Sequence, residues 1–514
     1  VTAAQQPKGD KGPRLAPGLF RLTDSGNAER FMARNKGNVR WCEPRRRWLT
    51  WDSQRWVWDE TGTAQRLAKD TIRGIRQEAR DTADLDLRKA LDEWAQKSES
   101  ADKRSSAEKL ARYEPGVAVN VSELDTDPWL LSCTNGTVDL RTGAMLPHSR
   151  EHLITKCTGV AYRPGAESPV WNAVLANMTG GDTELEGYLR RVAGYALTGV
   201  AIEKKFFFLY GPPNSGKSSF IQALHAALGD YARSTPFETW TERPMPGQNR
   251  DDLVALQGLR LVTSGEVAYN ARWNSALLKQ VTGGDLLTAQ RKFESPIEFR
   301  PSCTIIMAAN DAPKARDDDD GFWNRMQRIP ITAVVPKEKQ VANFFEVLRS
   351  PEVAESILAW AIAGCVEWQG VGIGTAACVQ ASSDAYRSEQ DWLGGFLAMY
   401  VVDDAAVISA GNFRDAYERY CKQEGQLTEP TKTLASRITK RLPGVRYRIV
   451  RGAREWVGLR LRDGAYAQQL QTPQAAAPAA FAPPVAREPE QRSLGFTPDP
   501  DDDTPEPPEG MFDD

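Results

Sequence analysis

The spacing of apolar positions changes along this chain, and each change marks a different kind of structure. Residues 19–160 interleave aromatic and β-branched runs with turns, first RWCEPRRRWLTWDSQRWVWDE (40–60) and then LSCTNGTVDLRTGAML (131–146). A charged stretch of helical period, from Thr63 to Tyr113, separates them. This predicts an α+β domain over 19–182. Helical period resumes in TELEGYLRRVAGYALTGV (183–200), and short apolar runs then alternate with helices to about residue 332, the pattern of a parallel sheet covered by helices. Residues 333–390 read as helical, so this α/β core is expected to span 183–385. The segment 386–464 reads as helices followed by a basic β-ribbon (RYRIV, then EWVGLRL), a small separate module. Residues 1–18 and 465–514 are polar and rich in Pro, Ala and acids, and are expected to be a disordered leader and tail.

Composition narrows the class. A 514-residue chain with 41% apolar and 26% charged residues has room for several cores, and no apolar run reaches the ~18 residues a membrane helix needs. With no apolar segment of signal-peptide length behind its first lysines, the chain is expected in the cytoplasm, with no membrane partner. Seven scattered cysteines without a CxxC pair, and only three histidines, argue against a zinc ribbon or a disulfide framework. The formal charge of −3 conceals an asymmetry: residues 499–514 hold eight acids and no base, leaving a body of +5. A mildly basic body is compatible with nucleic-acid binding.

The chemistry concentrates where FFFLY (206–210) runs into GPPNSGKSS (211–219) and an apolar-periodic helix. Gly211, Pro212, Pro213, Asn214, Ser215, Gly216, Lys217, Ser218 and Ser219 form a phosphate-binding loop at P-loop spacing. Its glycines admit phosphate oxygens to the backbone, the helix N-terminus faces them, Lys217 neutralises the β- and γ-phosphates, and Ser218 supplies an oxygen to Mg²⁺. ATP and Mg²⁺ are the expected cofactors. A second apolar run, LRLVTSGE (259–266), ends in Glu266, a candidate to hold the metal or polarise water. A third, CTIIMAAN (303–310), ends in Asn310, which could sense the γ-phosphate or orient the attacking water. In GFWNRMQRIPI (321–331), Arg325 and Arg328 lie beside aromatics, and Arg325 is the candidate to reach a neighbouring subunit's phosphates.

In this order, GPPNSGKSS, LRLVTSGE, LLKQVTGGDLLTAQRKF (277–293), TIIMAAND and FWNRMQRIP resemble the superfamily 3 helicase core of the phage and plasmid primase family, which includes the poxvirus-type primase-helicases. The resemblance extends through NGTVDLRTG (135–143), YLRRVAGYALTG (188–199), YRSEQDWLGGFL (386–397) and REWVGLRL (454–461). It implies a ring-forming ATPase moving 3′-to-5′ on single-stranded DNA, with Lys217, Glu266, Asn310 and Arg325 as catalytic residues and Ser218 and Glu266 at the metal. It also implies Lys279, Arg291 and Lys292 as DNA contacts in a central channel. Two departures stand out: Val267 follows Glu266 where other superfamily 3 helicases commonly have a second acid, and Gln290 and Glu294 stand where basic residues are common. About 130 residues precede NGTVDL, too few for a primase catalytic domain as well as the helicase-associated one, so a primase is expected to act separately.

Other features have plainer readings. Trp41, Trp48, Trp51, Trp56 and Trp58 alternate as strand residues do and are expected to pack a core rather than stack on bases. Asp139, Arg141 and Asp285 read as turn residues, and Asp317–Asp320 as a solvated loop. From Lys432 to Arg462 ten basic residues face one acid, Glu455. A winged-helix module is expected there, with Arg437, Lys440 and Arg441 on duplex phosphates.

The sequence thus predicts an α/β P-loop (AAA+-like) ATPase core with an α+β N-terminal domain and a C-terminal winged-helix module. The expected function is an ATP-dependent DNA helicase of phage, prophage or plasmid replication, acting in the cytoplasm of a bacterial host. Its partners would be single-stranded and origin duplex DNA, five further copies of itself in a hexamer, and separate replication proteins. Two alternatives stay open: a primase-helicase with residual priming activity, and an initiator that uses ATP to assemble without unwinding.

Overall fold

A computed structural model describes residues 15–243, 250–266, 271–292, 296–315, 319–424 and 428–462. Val267, Glu294, Asp317, Asp318 and the 465–514 segment lie outside them. The core is a five-stranded parallel sheet whose strands are β1 (Phe206–Tyr210), β2 (Ala232–Ser234), β3 (Leu261–Gly265), β4 (Thr304–Ala309) and β5 (Met326–Pro330). They lie in the order β5-β1-β4-β3-β2. Near-continuous apolar runs form β1 and β4 because both faces of these inner strands are covered. Phe207, Leu209, Ile306 and Ile329 face helices Lys217–Leu228 and Pro351–Val371; Phe206, Phe208, Ile305 and Met307 face Trp240, Trp273 and Leu278.

Helices Thr183–Ala196 and Pro351–Val371 cross at glycines. A Cβ on Gly194 would stand 2.1 Å from the Cys365 nitrogen, and one on Gly364 would stand 2.1 Å from the Arg190 carbonyl oxygen. Only two hydrogens fit between these backbones, which sets how closely the helices pack.

Ahead of the core, the aromatic-rich segment forms an antiparallel meander of Val39–Cys42, Arg47–Trp51 and Trp56–Trp58. Trp41 and Trp48 are cross-strand partners with ring centroids 5.3 Å apart. Both are buried in a cluster with Phe31 and Ala64, while Trp56 is buried in a second cluster with Leu49, against which Trp51 and Trp58 pack, so the five tryptophans serve two apolar cores. The charged stretch resolves into helices Thr63–Asp81, Leu85–Ser98 and Ala101–Ala111. A buried ion pair, Arg30 to Glu78 at 3.1 Å, ties helix Thr63–Asp81 to the preceding helix Asp24–Asn35.

A second meander (Leu130–Cys133, Gly136–Asp139, Ala144–Leu146) abuts the parallel sheet. Buried Arg260, just before β3, donates to the carbonyls of Leu197 (2.8 Å) and Leu130 (2.6 Å) and lies over the Tyr231 ring. Asp139 and Arg141 are bonded to each other in the turn, as a structural role requires.

The chain divides into two compact units, residues 1–395 and 396–514. In the second, helices Ala410–Gln423 and Thr431–Arg441 pack on a three-stranded antiparallel sheet built from Tyr400–Ser409, Arg446–Val450 and Ala453–Leu461, with the last strand central. Phe396, Tyr400, Phe413 and Trp456 fill its core. The strand Tyr400–Ser409 is not anticipated by the sequence reading. Its register with the central strand slips between Val402 and Val407, around Asp403 and Asp404, so period-two alternation is broken.

All seven cysteines are free thiols. Among the described residues no helix is long and apolar enough to cross a membrane, and no cluster of three His, Cys, Asp or Glu forms a metal cage.

Candidate nucleotide site

β1 ends at Tyr210, and the loop 211–216 turns the chain into helix Lys217–Leu228. Gly211 has no room for a side chain: a Cβ would lie 1.9 Å from the Ile331 carbonyl oxygen, where the chain leaving β5 runs beside it. Asn214 (φ 59°) and Gly216 (φ 92°) take left-handed conformations, which bend the loop sharply into the helix N-terminus. Lys217 is buried, and its ammonium donates to the carbonyls of Gly211 (2.8 Å) and Pro212 (2.7 Å) and to Ser215 Oγ (3.0 Å). Burial holds its pKa below the ordinary lysine value. The loop's own oxygens thus stand in for water around this cation.

The strand order delivers the other groups. β4 lies between β1 and β3, with Ala309 opposite Tyr210 and Ala308 opposite Gly265. The residues that follow β3 and β4, Glu266 and Asn310, therefore emerge side by side next to the loop. With Ser215, Lys217 and Ser218 they line one cleft of ≈ 820 Å³. Both are exposed to it. Glu266 has φ 63°, a left-handed conformation that costs a non-glycine residue about 1 kcal/mol and that recurs where a side chain must be aimed. The oxygens of Ser218 and Glu266 suit Mg²⁺, which takes one or two protein ligands and completes its shell with water and phosphate.

Among the lining residues that the sequence reading does not single out are Thr263, Ser264 and Asp311. Thr263 Oγ1 lies 2.7 Å from His225 Nε2, and Ser264 Oγ accepts from the Trp240 indole at 2.8 Å. Burial lowers the His225 pKa, favouring neutral imidazole. Asp311 directly follows Asn310, which is the signal that could have found it.

Arg325 does not line this cleft. It is half-buried beyond helix Asp320–Trp323, with Nη1 donating to the Gly321 carbonyl at 2.8 Å. Arg328 is packed instead: buried in β5, it lies 3.8 Å over the Tyr210 ring and pairs with Glu389. Lys279 pairs with Asp319, and Gly321 brings that pair and Arg325 together, since a Cβ there would be 3.2 Å from Lys279, 3.4 Å from Asp319 and 3.9 Å from Arg325. Asp319 also caps its helix and is largely covered, which corrects its reading as solvated loop, whereas Asp320 pairs with Arg387 at the surface and stays exposed. Arg291 and Lys292 are exposed beyond the first strand of a hairpin, Leu287–Ala289 with Ile297–Phe299, and Asp285 sits in the turn before it.

In the C-terminal unit Arg437 pairs with Glu429 and its side chain is only 11% exposed, while Lys440 and Arg441 are exposed. The ribbon turns at Arg451 and Gly452, both left-handed (φ 47° and 84°), with Arg446, Arg448, Arg451 and Arg454 exposed around Ile449.

Known proteins share parts of this chain. A family described as "D5 N terminal like" matches residues 28–180, and a family of unknown function (DUF5906) matches 209–328. "Putative helicase L207/L206" of Acanthamoeba polyphaga mimivirus is 26% identical over 238 residues, 45% of this chain and 24% of that one. "Putative helicase V13" of Sputnik virophage is 28% identical over 153 residues, 28% of this chain and 19% of its own. The chain thus spans about a quarter or less of the length of these curated relatives. Among solved structures, the apo C-terminal region of NrS-1 is 13% identical at a TM-score of 0.41, covering 59% of this chain and 78% of that one. With a D5-like segment ahead of a parallel α/β core, and with helicase-named viral relatives, these matches support a protein of the phage and viral primase-helicase family.

Proposed function

We propose that this chain is the motor of an ATP-driven DNA helicase of superfamily 3, working in phage, prophage or plasmid replication and moving 3′-to-5′ on single-stranded DNA. The observation that carries the reading is the convergence of the phosphate loop, Glu266 and Asn310 in one cleft at the ends of three adjacent strands. The strand order, with β4 between β1 and β3, supports an AAA+-like core because it seats Asn310 between the loop and the acid.

In this reading Lys217 leaves its carbonyl partners to meet the β- and γ-phosphates, and the loop amides orient them. Glu266 accepts a proton from the attacking water, and Asn310 holds that water or the γ-phosphate in line. Magnesium, when bound through Ser218 and Glu266, supplies charge neutralisation at the phosphate oxygens. Arg325, set apart from its own cleft, acts on that of the next subunit in a hexameric ring, which makes hydrolysis depend on assembly. Arg291 and Lys292, with Lys279 when released from Asp319, track single-stranded DNA. Lys440 and Arg441 contact duplex phosphates in a winged-helix-like module, assisted by the exposed ribbon arginines, while Arg437 holds the helix in place through Glu429.

The test is ATPase rate with and without single-stranded DNA at rising protein concentration, compared with Lys217→Ala, followed by unwinding of forks carrying a 3′ or a 5′ tail. Cooperative, DNA-stimulated turnover that vanishes in Lys217→Ala, with unwinding from the 3′ tail alone, is the expected result. Turnover indifferent to DNA and concentration would refute the motor reading.

A further inference from the structure

A second cavity, of ≈ 720 Å³, opens on the other side of the phosphate loop. Ala173, Val174 and Asn177 of helix Pro169–Thr179 form one wall; Val335, Val341 and Phe345, from the segment after β5, form the other. The cavity shares Asn214, Gly216, Ser219 and Phe345 with the phosphate cleft. A ligand whose phosphates occupy the cleft can therefore extend into the cavity across the loop without leaving the protein.

The lining differs in chemistry from the cleft. No charged side chain contributes to it, and its polar side chains are hydroxyls and amides, including Asn177. That offers a phosphate no cation to pair with and suits a flat, neutral, mostly apolar group with a polar edge. Val341 and Phe345 are 58% and 44% exposed, so apolar surface stands in water at the cavity rim, where a planar ligand would cover it.

Both walls are registered to the loop. The Val335 N–H donates to the Asn214 carbonyl at 2.9 Å, and a Cβ on Gly216 would stand 2.9 Å from Met178 Cγ, so the helix lies directly against the loop. The slot is therefore fixed at a set distance from the phosphate cradle.

We propose that this slot holds the base and ribose of the bound nucleoside triphosphate, with the base between the Ala173–Val174 face and Phe345 and its edge toward Asn177. The assignment rests on reading residues 211–219 as the triphosphate site. It adds residues 170–177 and 335–345, neither of which carries a motif, to the nucleotide-binding surface.

Isothermal titration of the full chain with Mg²⁺–ATP and with inorganic tripolyphosphate separates the two readings, because tripolyphosphate fills the cleft and lacks a base. ATP is expected to bind about tenfold tighter or more, the scale of one base stacked on an apolar wall. Ala173→Phe, which fills the slot from an exposed helix position, should weaken ATP about tenfold and change tripolyphosphate less than about twofold. Val341→Ser, on the opposite wall, should weaken ATP about threefold with the same indifference to tripolyphosphate. Equal affinity of the wild-type protein for both ligands, or parallel losses for both ligands in both variants, would overturn the slot while leaving the phosphate site intact. Binding of neither ligand would overturn the phosphate reading itself, and the slot with it.

Discussion

Arg325 offers the sharpest test of a catalytic site shared between subunits. In Arg325→Ala, the structural loss is small: one hydrogen bond to the Gly321 carbonyl disappears, and Nε, buried without a partner, no longer has to be accommodated. A charged hydrogen bond at a half-buried position contributes about 1–2 kcal/mol, so the variant is expected to fold. Removing an arginine finger is expected to cost about 10³-fold in turnover, about 4 kcal/mol on the barrier. ATP affinity should be unchanged because Arg325 is not in the cleft of its own chain. The decisive assay mixes Arg325→Ala with Lys217→Ala, each inactive alone. Interfaces pairing an intact cleft on the first variant with an intact arginine on the second regain function, and random assembly at equal ratio makes these about a quarter of all interfaces. Recovery toward about a quarter of the wild-type rate is therefore expected if interfaces act independently. An inactive mixture whose subunits demonstrably co-assemble, or Arg325→Ala retaining most of its turnover alone, would refute the role.

Other expectations follow from the same geometry. Arg30→Met leaves Glu78 buried without its cation and should cost about 3–5 kcal/mol by urea denaturation, whereas Arg30→Met/Glu78→Leu should recover at least about 2 kcal/mol of that loss; additive losses would show the pair uncoupled. Burial already raises the Glu78 pKa despite Arg30, so its folded form binds a proton more readily than its unfolded form. The Arg30→Met loss should therefore be smaller at pH 5 than at pH 8, and a loss that grows on acidification would contradict this. Gly364→Ala drives a methyl against the Arg190 carbonyl and should cost about 3 kcal/mol or more, read as a fall in thermal midpoint. Replacing Arg446, Arg451 and Arg454 together by Ala should flatten the dependence of log K on log salt for duplex DNA by about 3, and an unchanged slope would remove the ribbon from the DNA contacts.

The strand–loop–helix that carries the candidate phosphate loop was legible because its signal is local: nine consecutive residues between a strand and a helix carry glycine, lysine and serine at the spacing the turn needs. The placement of Glu266 and Asn310 was legible almost as directly, since each closes an apolar run and adjacent parallel strands deliver the residues that follow them to one edge of the sheet. The burial of the tryptophans followed from alternation, itself a local signal. The slipped strand Tyr400–Ser409 did not, because a bulge erases the period that would reveal it.

Which charges are available for function was decided only in three dimensions. Lys279 and Asp319 are 40 positions apart, and Arg328 meets Tyr210, 118 positions before it, across neighbouring strands. Both arginines in FWNRMQR look alike in the sequence, yet β5 turns Arg328 into an aromatic cage and leaves Arg325 outside it. The slot beside the phosphate loop likewise joins a helix before β1 to a segment after β5. Sequence determines a residue's chemistry and the period of its neighbours; tertiary structure determines its partners, because contacts between distant segments exist only once the sheet has ordered its strands.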